Sequence, residues 1–246
     1  MEQYGLLGHP LSHSFSKKFF TEKFENEVID AKYDNFDLDN LDNIYTDLLK
    51  KDNLKGFNVT IPYKKEIIKF LDDIDDTAKE IGAVNVVKVT KNQDKLHLKG
   101  YNSDVVGFMN SIKPMIKPFH KKALILGTGG ASLAVKCGLE KLGIETMFVS
   151  RTPSAGMISY EQITKEILQD YSLIVNCTPL GTFPKVEGKP DLPYEFISET
   201  NLLYDLVYNP ELTTFLNEGK KRGAAIKNGN EMLILQAIES WKIWNS

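Results

Sequence analysis

Only two of the 246 residues are cysteine, Cys137 and Cys177. A secreted disulfide framework is therefore excluded, and reduced thiols in the cytoplasm are the simpler reading. The longest aliphatic runs, such as Ala123-Leu124-Ile125-Leu126, fall far short of the ~20 residues a membrane span needs. The amino terminus, Met1-Glu2-Gln3-Tyr4, reaches Gly8-His9-Pro10 almost at once, so no signal peptide is expected. Net charge is small: 30 Lys and Arg face 33 Asp and Glu, leaving −3. That excludes an overall basic nucleic-acid footprint, though not a local basic pocket. There is no internal repeat and no low-complexity segment. His9 and His13 have no cysteine or acidic residue at ligand spacing, so no metal is expected.

What remains is ordinary globular composition, 42% apolar and 26% charged. The length suits one large domain or two small ones, and such a chain buries about 70% of its unfolded surface without a metal or disulfide staple. Short apolar runs alternate with helical stretches, the pattern of β/α units. In the first half the strands expected are 4–7, 31–38, 57–61 and a hairpin of 83–90 with 96–100. Phe15, Phe19, Phe20 and Phe24 recur at helical spacing, and further helices are expected at 41–51, 63–71 and 75–81. After about residue 103 the strands lose their alternation, as strands buried on both faces do. These are 122–126, 145–150, 173–177, 202–206 and 224–226, with helices at 131–142, 211–222 and 231–244. Pro184 to Pro193 reads as a surface loop. No linker is evident, so two halves packed around a cleft are expected.

Gly127-Thr128-Gly129-Gly130-Ala131-Ser132 follows a buried strand and opens a helix, the context a dinucleotide fingerprint requires. Glycines let the backbone turn sharply and approach a pyrophosphate, and the helix N-terminus offers unpaired N–H groups to the anion. Ser132 stands where a third glycine would be, and an ordinary strand-to-helix turn is the competing reading. NAD-binding units place an acid about 20 residues on, for the ribose 2′-hydroxyl. Here the next strand ends in Ser150-Arg151-Thr152. A guanidinium forks onto a 2′-phosphate, with Thr152 as a further donor, so NADP is favoured over NAD unless Arg151 is simply a solvated strand end. No second cation follows among Pro153, Ser154 and Ala155, which leaves room for some NAD use.

Four clusters elsewhere share small hydroxyls, amides and one lysine: His13-Ser14-Phe15-Ser16, Asn58-Val59-Thr60-Ile61-Pro62-Tyr63-Lys64, Gly82-Ala83-Val84-Asn85 and Asn102-Ser103-Asp104. Each falls at a strand end or helix start, where parallel sheets place ligands. Hydroxyls and amides are partners for a polyol, and lysine beside a carboxylate is a proton donor when a ketone becomes an alcohol. Blander readings stand beside these. Ser14, Ser16 and Asp104 are also good helix caps, Lys64-Lys65-Glu66 is also a solvated helix face, and Asn85 also serves a local turn.

Taken together, in order and over essentially the whole chain, these clusters resemble the shikimate dehydrogenase family. His13-Ser14-Phe15-Ser16 is similar to its H-S-x-S turn, and Asn58 to Lys64 to its N-V-T-x-P-[FY]-K block. Gly82 to Asn85 is similar to G-A-[VI]-N, and Asn102-Ser103-Asp104 with Gly107 to N-[TS]-D-x-x-G. Gly127 to Ser132 resembles G-[AT]-G-G-A-[SA], Ser150-Arg151-Thr152 resembles N-R-T, and Asn176-Cys177-Thr178-Pro179-Leu180-Gly181 resembles N-[AC]-T-P-x-G. Tyr204 to Pro210 is similar to the D-x-x-Y segment and Gly229 to Gln236 to the G-x-x-M-L-x-x-Q helix. Any one block is weak, but nine in register are strong.

The resemblance implies an α/β protein of two domains: an N-terminal substrate domain, residues 1–103 completed by the C-terminal helix 228–246, and a Rossmann-like NADP domain, residues 104–227. It implies reversible, NADPH-dependent reduction of 3-dehydroshikimate to shikimate on the route to aromatic amino acids. By carry-over Lys64 and Asp104 form the catalytic pair, and Ser14 and Ser16 bind the substrate carboxylate. Thr60, Asn85, Asp104, Tyr208 and Gln236 complete the substrate shell. The cofactor falls to Gly127, Gly129, Gly130, Ala131, Ser150, Arg151, Thr152, Thr178 and Gly229. The expected partner is this small molecule, in a cytoplasmic monomer or homodimer that binds neither nucleic acid nor membrane. Lys17, Ser150 and Glu231 depart from residues usual in the family, and 153–170 is short enough that part of a helix is expected to be missing. Rival readings are a quinate/shikimate dehydrogenase with broader substrate and NAD use, a methylene-tetrahydrofolate dehydrogenase, and a non-catalytic NADP-sensing module.

Overall fold

A computed structural model describes residues 1–11, 15–51, 53–92 and 95–246, and they divide into two units: 1–103 with 237–246, and 104–236. The first contains β1 (Glu2–Gly8), α1 (Phe15–Asn26), β2 (Ala31–Asp37), β3 (Gly56–Val59), β4 (Asp73–Ile74), α2 (Asp76–Ile81), β5 (Val86–Asn92) and β6 (Lys95–Tyr101). Its sheet has the order β2-β1-β3-β5-β6-β4. β1 pairs in parallel with β2 and β3, whereas β5 runs against both β3 and β6. Period-two alternation explains the two cores. Leu7, Phe57, Val59 and Val87 point to one face, over Leu41, Ile44, Leu48 and Ile67. Tyr4, Tyr33 and Val86 point to the other, where Phe20 and Phe24 of α1 meet Ala237 and Trp244.

Trp244 pins that second face. Its indole Nε1 donates to the Val87 carbonyl at 3.0 Å. The ring lies so close to Gly56 that a Cβ there would stand 2.3 Å from indole atoms. Glycine is needed at 56 for that close approach.

The second unit contains α3 (Ser103–Ile112), whose first residue belongs to the other unit, β7 (Lys122–Leu126), α4 (Gly130–Lys141), β8 (Glu145–Val149), β9 (Met157–Ile158), α5 (Lys165–Asp170), β10 (Leu173–Asn176), β11 (Leu202–Asp205), α6 (Thr214–Lys220), β12 (Ala225–Lys227) and the start of α7 (Asn230–Asn245). The sheet order is β12-β11-β10-β7-β8-β9, parallel at every pairing. Ala123 and Ile125 face α3 and α4, through Phe108, Ile112, Val135 and Leu139. Leu124 and Leu126 face α5 and α6, through Leu168, Phe215 and Leu216. With helices on both faces the central strands carry no polar face, which is why their sequences do not alternate.

Several elements differ from the sequence expectation. Instead of a helix over 41–51 there is a five-residue π turn, Tyr45–Leu49, in which Lys50 N–H donates to the Tyr45 carbonyl. The wider turn brings Ile44 and Leu49 into register, and both are buried. The helix expected at 63–71 is a run of turns followed by a 3-10 segment, Glu66–Phe70. The Lys64 carbonyl is drawn off by Val84 N–H at 2.8 Å instead of serving an α-helical turn. The helix expected from 211 begins at Thr214, because the Thr213 hydroxyl caps Leu216 N–H. β4, β9 and α5 were not foreseen; two of them are two-residue strands with no pattern to read.

Trp244→Ala removes a large buried side chain and its bond to the Val87 carbonyl. It is expected to destabilise the protein by about 3–5 kcal/mol, whereas Trp244→Phe, which loses the bond but keeps a ring, costs about 1–3. Urea unfolding midpoints of the three proteins check this ranking.

Candidate functional site

In the first unit the carboxyl ends of β1 and β3 and the start of β5 come to one sheet edge, since β5 runs opposite to β3. Thr60 N–H donates to the Leu7 carbonyl at 2.8 Å and Val59 N–H to the Asn85 carbonyl at 2.9 Å. A Cβ on Gly8 would stand 2.4 Å from the Thr60 methyl group. Gly8, Thr60 and Asn85 are thus neighbours. Lys64 follows in the turn after Thr60, half-buried, its carbonyl held by Val84.

Behind this edge runs a buried hydrogen-bonded chain. Tyr33 donates to Asn58 Oδ1 at 2.9 Å, and the Ser16 hydroxyl bonds the same phenol. Asn58 Nδ2 donates to the Asn85 carbonyl and to Ser240 Oγ at 2.9 Å. Ser240 and Ser103 hydroxyls lie 3.2 Å apart. Asn85 closes the chain, accepting Ser103 N–H at 2.7 Å and donating to Ser103 Oγ at 3.1 Å. Burial pushes the Tyr33 phenol above its ordinary range, keeping it a neutral donor. Ser14 lies outside the described residues. Nearby, the Asp37 carboxylate takes Leu11 N–H at 3.0 Å and His9 Nδ1 at 2.7 Å. Those bonds hold its carboxyl below the usual range.

In the second unit β7 runs into Gly127, whose φ of +97° needs glycine and whose Cβ would stand 2.9 Å from the Thr178 methyl group. Gly129 caps α4 without a side-chain bond, and a Cβ on Gly129 or Gly130 would meet nothing within 4 Å. The backbone at the start of this 12-residue helix is thus bare glycine bordered by open space, with Ser132 N–H turned back onto the Gly129 carbonyl at 3.0 Å. Such a cradle suits a phosphate. Ser132 is buried and donates through Oγ to the Gly129 carbonyl at 2.6 Å. Its hydroxyl closes the loop where a third glycine would have let helix and strand approach. At the end of β8, Ser150 Oγ accepts Thr152 N–H at 3.2 Å, and Arg151 and Thr152 are exposed. A glycine cradle, with a guanidinium and no acid at the end of the next strand, fits a dinucleotide carrying a 2′-phosphate.

Two polar residues end the neighbouring strands. Asn176 Oδ1 accepts Thr178 N–H at 3.0 Å and Thr178 Oγ1 at 2.6 Å, while its Nδ2 donates to Asp205 Oδ1 at 2.9 Å. Asp205 is fully buried and also accepts Val207 N–H at 3.0 Å and Thr213 Oγ1 at 2.6 Å. Desolvation pushes its carboxyl up to about 6 despite these bonds. Burial, with Asp205 beside it, pushes the Cys177 thiol up. Tyr208 sits half-exposed on the loop that leaves Asp205. Gly229 N–H donates to the Val207 carbonyl at 3.2 Å, and a Cβ at 229 would stand 2.2 Å from the Leu206 carbonyl oxygen. Gln236 is buried with Nε2 on the Leu233 carbonyl at 3.0 Å. A Cβ on Gly107 would stand 3.0 Å from the Gln236 Cβ. Asp104 is buried in the first turn of α3, where the helix dipole favours a carboxylate.

The family described as the shikimate dehydrogenase substrate binding domain matches residues 6–87. A shikimate dehydrogenase (NADP(+)) of Caldicellulosiruptor saccharolyticus is 35% identical over 261 residues, covering 99% of this chain and 92% of that protein. A crystal structure of a shikimate dehydrogenase in complex with NADP+ matches at TM-score 0.87 and 34% identity, covering 99% of this chain and 90% of the other. The chain belongs to the shikimate dehydrogenase family. The Thermus thermophilus shikimate 5-dehydrogenase, solved with NADP(H) and shikimate, matches at TM-score 0.83 and 29% identity, with 99% and 93% of the two chains covered.

Within this shikimate dehydrogenase family member the departures have local explanations. Glu231 forms an ion pair with Lys227 one turn before it. Ser150 supplies the acceptor for Thr152 N–H. Lys17 lies within 4.0 Å of Asp34 at the surface. Among the described residues no helix is long and apolar enough to cross a membrane, and no group of three or more His, Cys, Asp or Glu is placed to hold a metal. The sequence alone points to neither Tyr33 nor Ser240, and it places Asn58 and Asp205 within motif blocks without making either a site residue. The available signal was a polar residue in an apolar strand, as in Phe57-Asn58-Val59 and Leu203-Tyr204-Asp205.

The raised carboxyl of Asp205 has a thermodynamic consequence. Between its unfolded value of 3.8 and its folded value of about 6, the folded chain keeps a proton that the unfolded chain has released. Its contribution to stability is therefore full below about pH 4 and is lost as pH rises through about 6, by about 3 kcal/mol. Asp205→Asn lacks this slope. Urea unfolding of both proteins from pH 4 to 7 should show the variant gaining that amount relative to the parent.

Proposed function

We propose that the protein is an NADP-dependent shikimate dehydrogenase that reduces 3-dehydroshikimate reversibly to shikimate. The observation that carries this is full-length kinship: curated relatives matching 98–99% of the chain are shikimate dehydrogenases (NADP(+)). The glycine cradle after β7 and the arginine after β8 support the cofactor, since both fit a dinucleotide with a 2′-phosphate. In this reading residues 1–103, completed by the helix 228–246, are the substrate domain, and 104–227 the NADP domain. The enzyme acts in the cytoplasm on a small molecule, as a monomer or homodimer, without nucleic acid or membrane.

The chemistry the cofactor supplies when bound is hydride transfer. The chain's own residues handle the rest. As the carbonyl of 3-dehydroshikimate becomes a hydroxyl, its oxygen acquires negative charge. Lys64 stabilises that charge and delivers the proton to the oxygen, and in the reverse direction takes it back. Asp104 holds the ammonium in place beside that oxygen. Ser14 and Ser16 bind the substrate carboxylate. Thr60, Asn85, Tyr208 and Gln236 hold its hydroxyls, with Asn85 presented by its bonds to Ser103. Gly127, Gly129, Gly130 and Ala131 receive the pyrophosphate, Ser150, Arg151 and Thr152 the 2′-phosphate, and Thr178 and Gly229 border the remainder of the cofactor.

The test is formation of reduced nicotinamide, followed by absorbance, from shikimate and NADP; a pure, folded protein that forms none refutes the reading. Lys64→Ala is expected to lower kcat by about 100-fold or more while leaving NADP affinity within about twofold, measured by steady-state kinetics and calorimetry. An unchanged kcat would remove Lys64 from the mechanism. Arg151→Ala is expected to raise the KM for NADP by about tenfold or more, with little change in the KM for NAD. Equal losses for both cofactors would show that the guanidinium does not read the 2′-phosphate.

A further inference from the structure

Asp205 is a costly residue for the fold. It sits at the end of a central parallel strand with no solvent exposure, and a buried carboxylate carries a large desolvation penalty unless many bonds offset it. The partners that meet it are an amide, a hydroxyl and a backbone N–H. The amide comes from the last residue of β10, and the other two come from the loop that follows β11.

The direction of each bond makes an acceptor obligatory at this point. The Thr213 hydroxyl already accepts Leu216 N–H as the cap of α6 at 3.3 Å, so its own proton is what it offers to Asp205. Asn176 uses its oxygen for Thr178 N–H and Oγ1, so its amide nitrogen is what it turns to Asp205. With the Val207 N–H, three donors converge on two oxygens, which a carboxylate accommodates and an amide does not.

One arm of this hub closes the loop 206–213. Asp205 holds its beginning through Val207 and its end through Thr213. Tyr208 is the next residue after the first anchor. The other arm sets the turn after β10. By fixing which way the Asn176 amide faces, Asp205 commits the Thr178 hydroxyl proton to Asn176, and Thr178 Oγ1 also accepts Leu180 N–H at 3.3 Å. What Thr178 retains for a ligand is a lone pair and not a proton.

We propose that Asp205 is a positioning residue for the dehydrogenase reaction: through Val207 and Thr213 it sets Tyr208 toward the substrate, and through Asn176 it sets Thr178 toward the cofactor. The inference rests on the functional reading above and adds to it a residue that touches neither ligand.

The two arms are separable by calorimetric titration of shikimate and NADP, each alone, into the folded full-length protein. Thr213→Val cuts the loop arm, and the Thr213 cap of α6 with it, but not the Asn176 arm; it is expected to weaken shikimate about tenfold while leaving NADP within about twofold. Asn176→Ala cuts only the other arm and is expected to do the reverse. Asp205→Asn weakens both. Thr213→Ser keeps the hydroxyl and is expected to restore shikimate affinity, so the Thr213 pair decides the matter even where Asn176→Ala or Asp205→Asn does not fold. A purely structural role predicts instead that both affinities fall in parallel with the thermal midpoint in every variant. That result, or unchanged shikimate affinity in folded Thr213→Val, overturns the proposal. A parent protein that binds neither shikimate nor NADP overturns the functional reading and this inference with it, whereas a parent that binds both while its variants lose them in parallel overturns this inference alone.

Discussion

Where β10 and β11 end, the polar side chains of Asn176 and Asp205 are still buried at the rim of a sheet covered on both faces. Ladder bonds stop there, and water does not reach these two side chains to replace them. Each polar group at these ends has to be satisfied by another protein group or carry the penalty of an unmade bond. The local architecture of the second unit follows from that constraint. Gly127 turns at once under Thr178, Ser132 spends its hydroxyl on the Gly129 carbonyl, and Asn176 and Asp205 bind each other. A parallel sheet concentrates these obligations at one edge because all its strands end on the same side. The edge that must be the most elaborately hydrogen-bonded is therefore also the edge best able to hold a polar ligand in a fixed orientation.

The first unit reaches a similar result with a mixed sheet. There the obligation is met by a chain of side chains, Ser16, Tyr33, Asn58, Ser240, Ser103 and Asn85, that runs from α1 to the C-terminal helix. Such a network is rigid only while every member is satisfied, since a buried donor without a partner costs more than the bond contributed. Asn85 illustrates the gain. With its amide oxygen and nitrogen both committed to Ser103, its rotamer is set by the protein, so a ligand meeting it need not pay to order it. Preorganisation of this kind is a principal source of binding and catalytic strength in polar sites.

The parts of this arrangement that could be read from the sequence are those whose determinants are local. The β7–glycine loop–α4 unit is contiguous, and the absence of alternation in Leu124-Ile125-Leu126 reports burial on both faces. The hairpin of β5 and β6 is legible for the same reason, as two apolar stretches separated by a polar turn. Failures have the opposite character. The spacing of Leu41, Ile44, Leu48 and Leu49 is that of one α-helical face, yet the chain forms the wider π turn over Tyr45–Leu49, which nothing in the local sequence marks. Lys64 to Leu71 has helical composition, but a carbonyl taken by Val84, 20 residues away, is invisible in it. Asn58 and Ser240 are separated by 182 residues and Asn176 and Asp205 by 29. A single sequence shows each as an isolated polar residue, and nothing in it identifies the partner. Family resemblance marks positions such as Thr178 and Tyr208 without saying what holds them.

Cofactor choice rests on a balance that is easy to misjudge from Arg151 alone. Its side chain is exposed, and a single charge pair at 4 Å in water is worth only about 1 kcal/mol. Forked hydrogen bonds to a phosphate raise that figure, but solvent and salt still screen it. A lone exposed arginine therefore gives a limited preference. The complementary contribution comes from the residues around it: Ser150-Arg151-Thr152-Pro153-Ser154-Ala155 contains no carboxylate. An acid there would accept a bond from the 2′-hydroxyl of NAD and repel the 2′-phosphate of NADP. Without it, NAD loses its best ribose contact while NADP meets no repulsion. Specificity is a difference between two affinities, and in the proposed enzyme that difference arises as much from the contact denied to NAD as from the one offered to NADP.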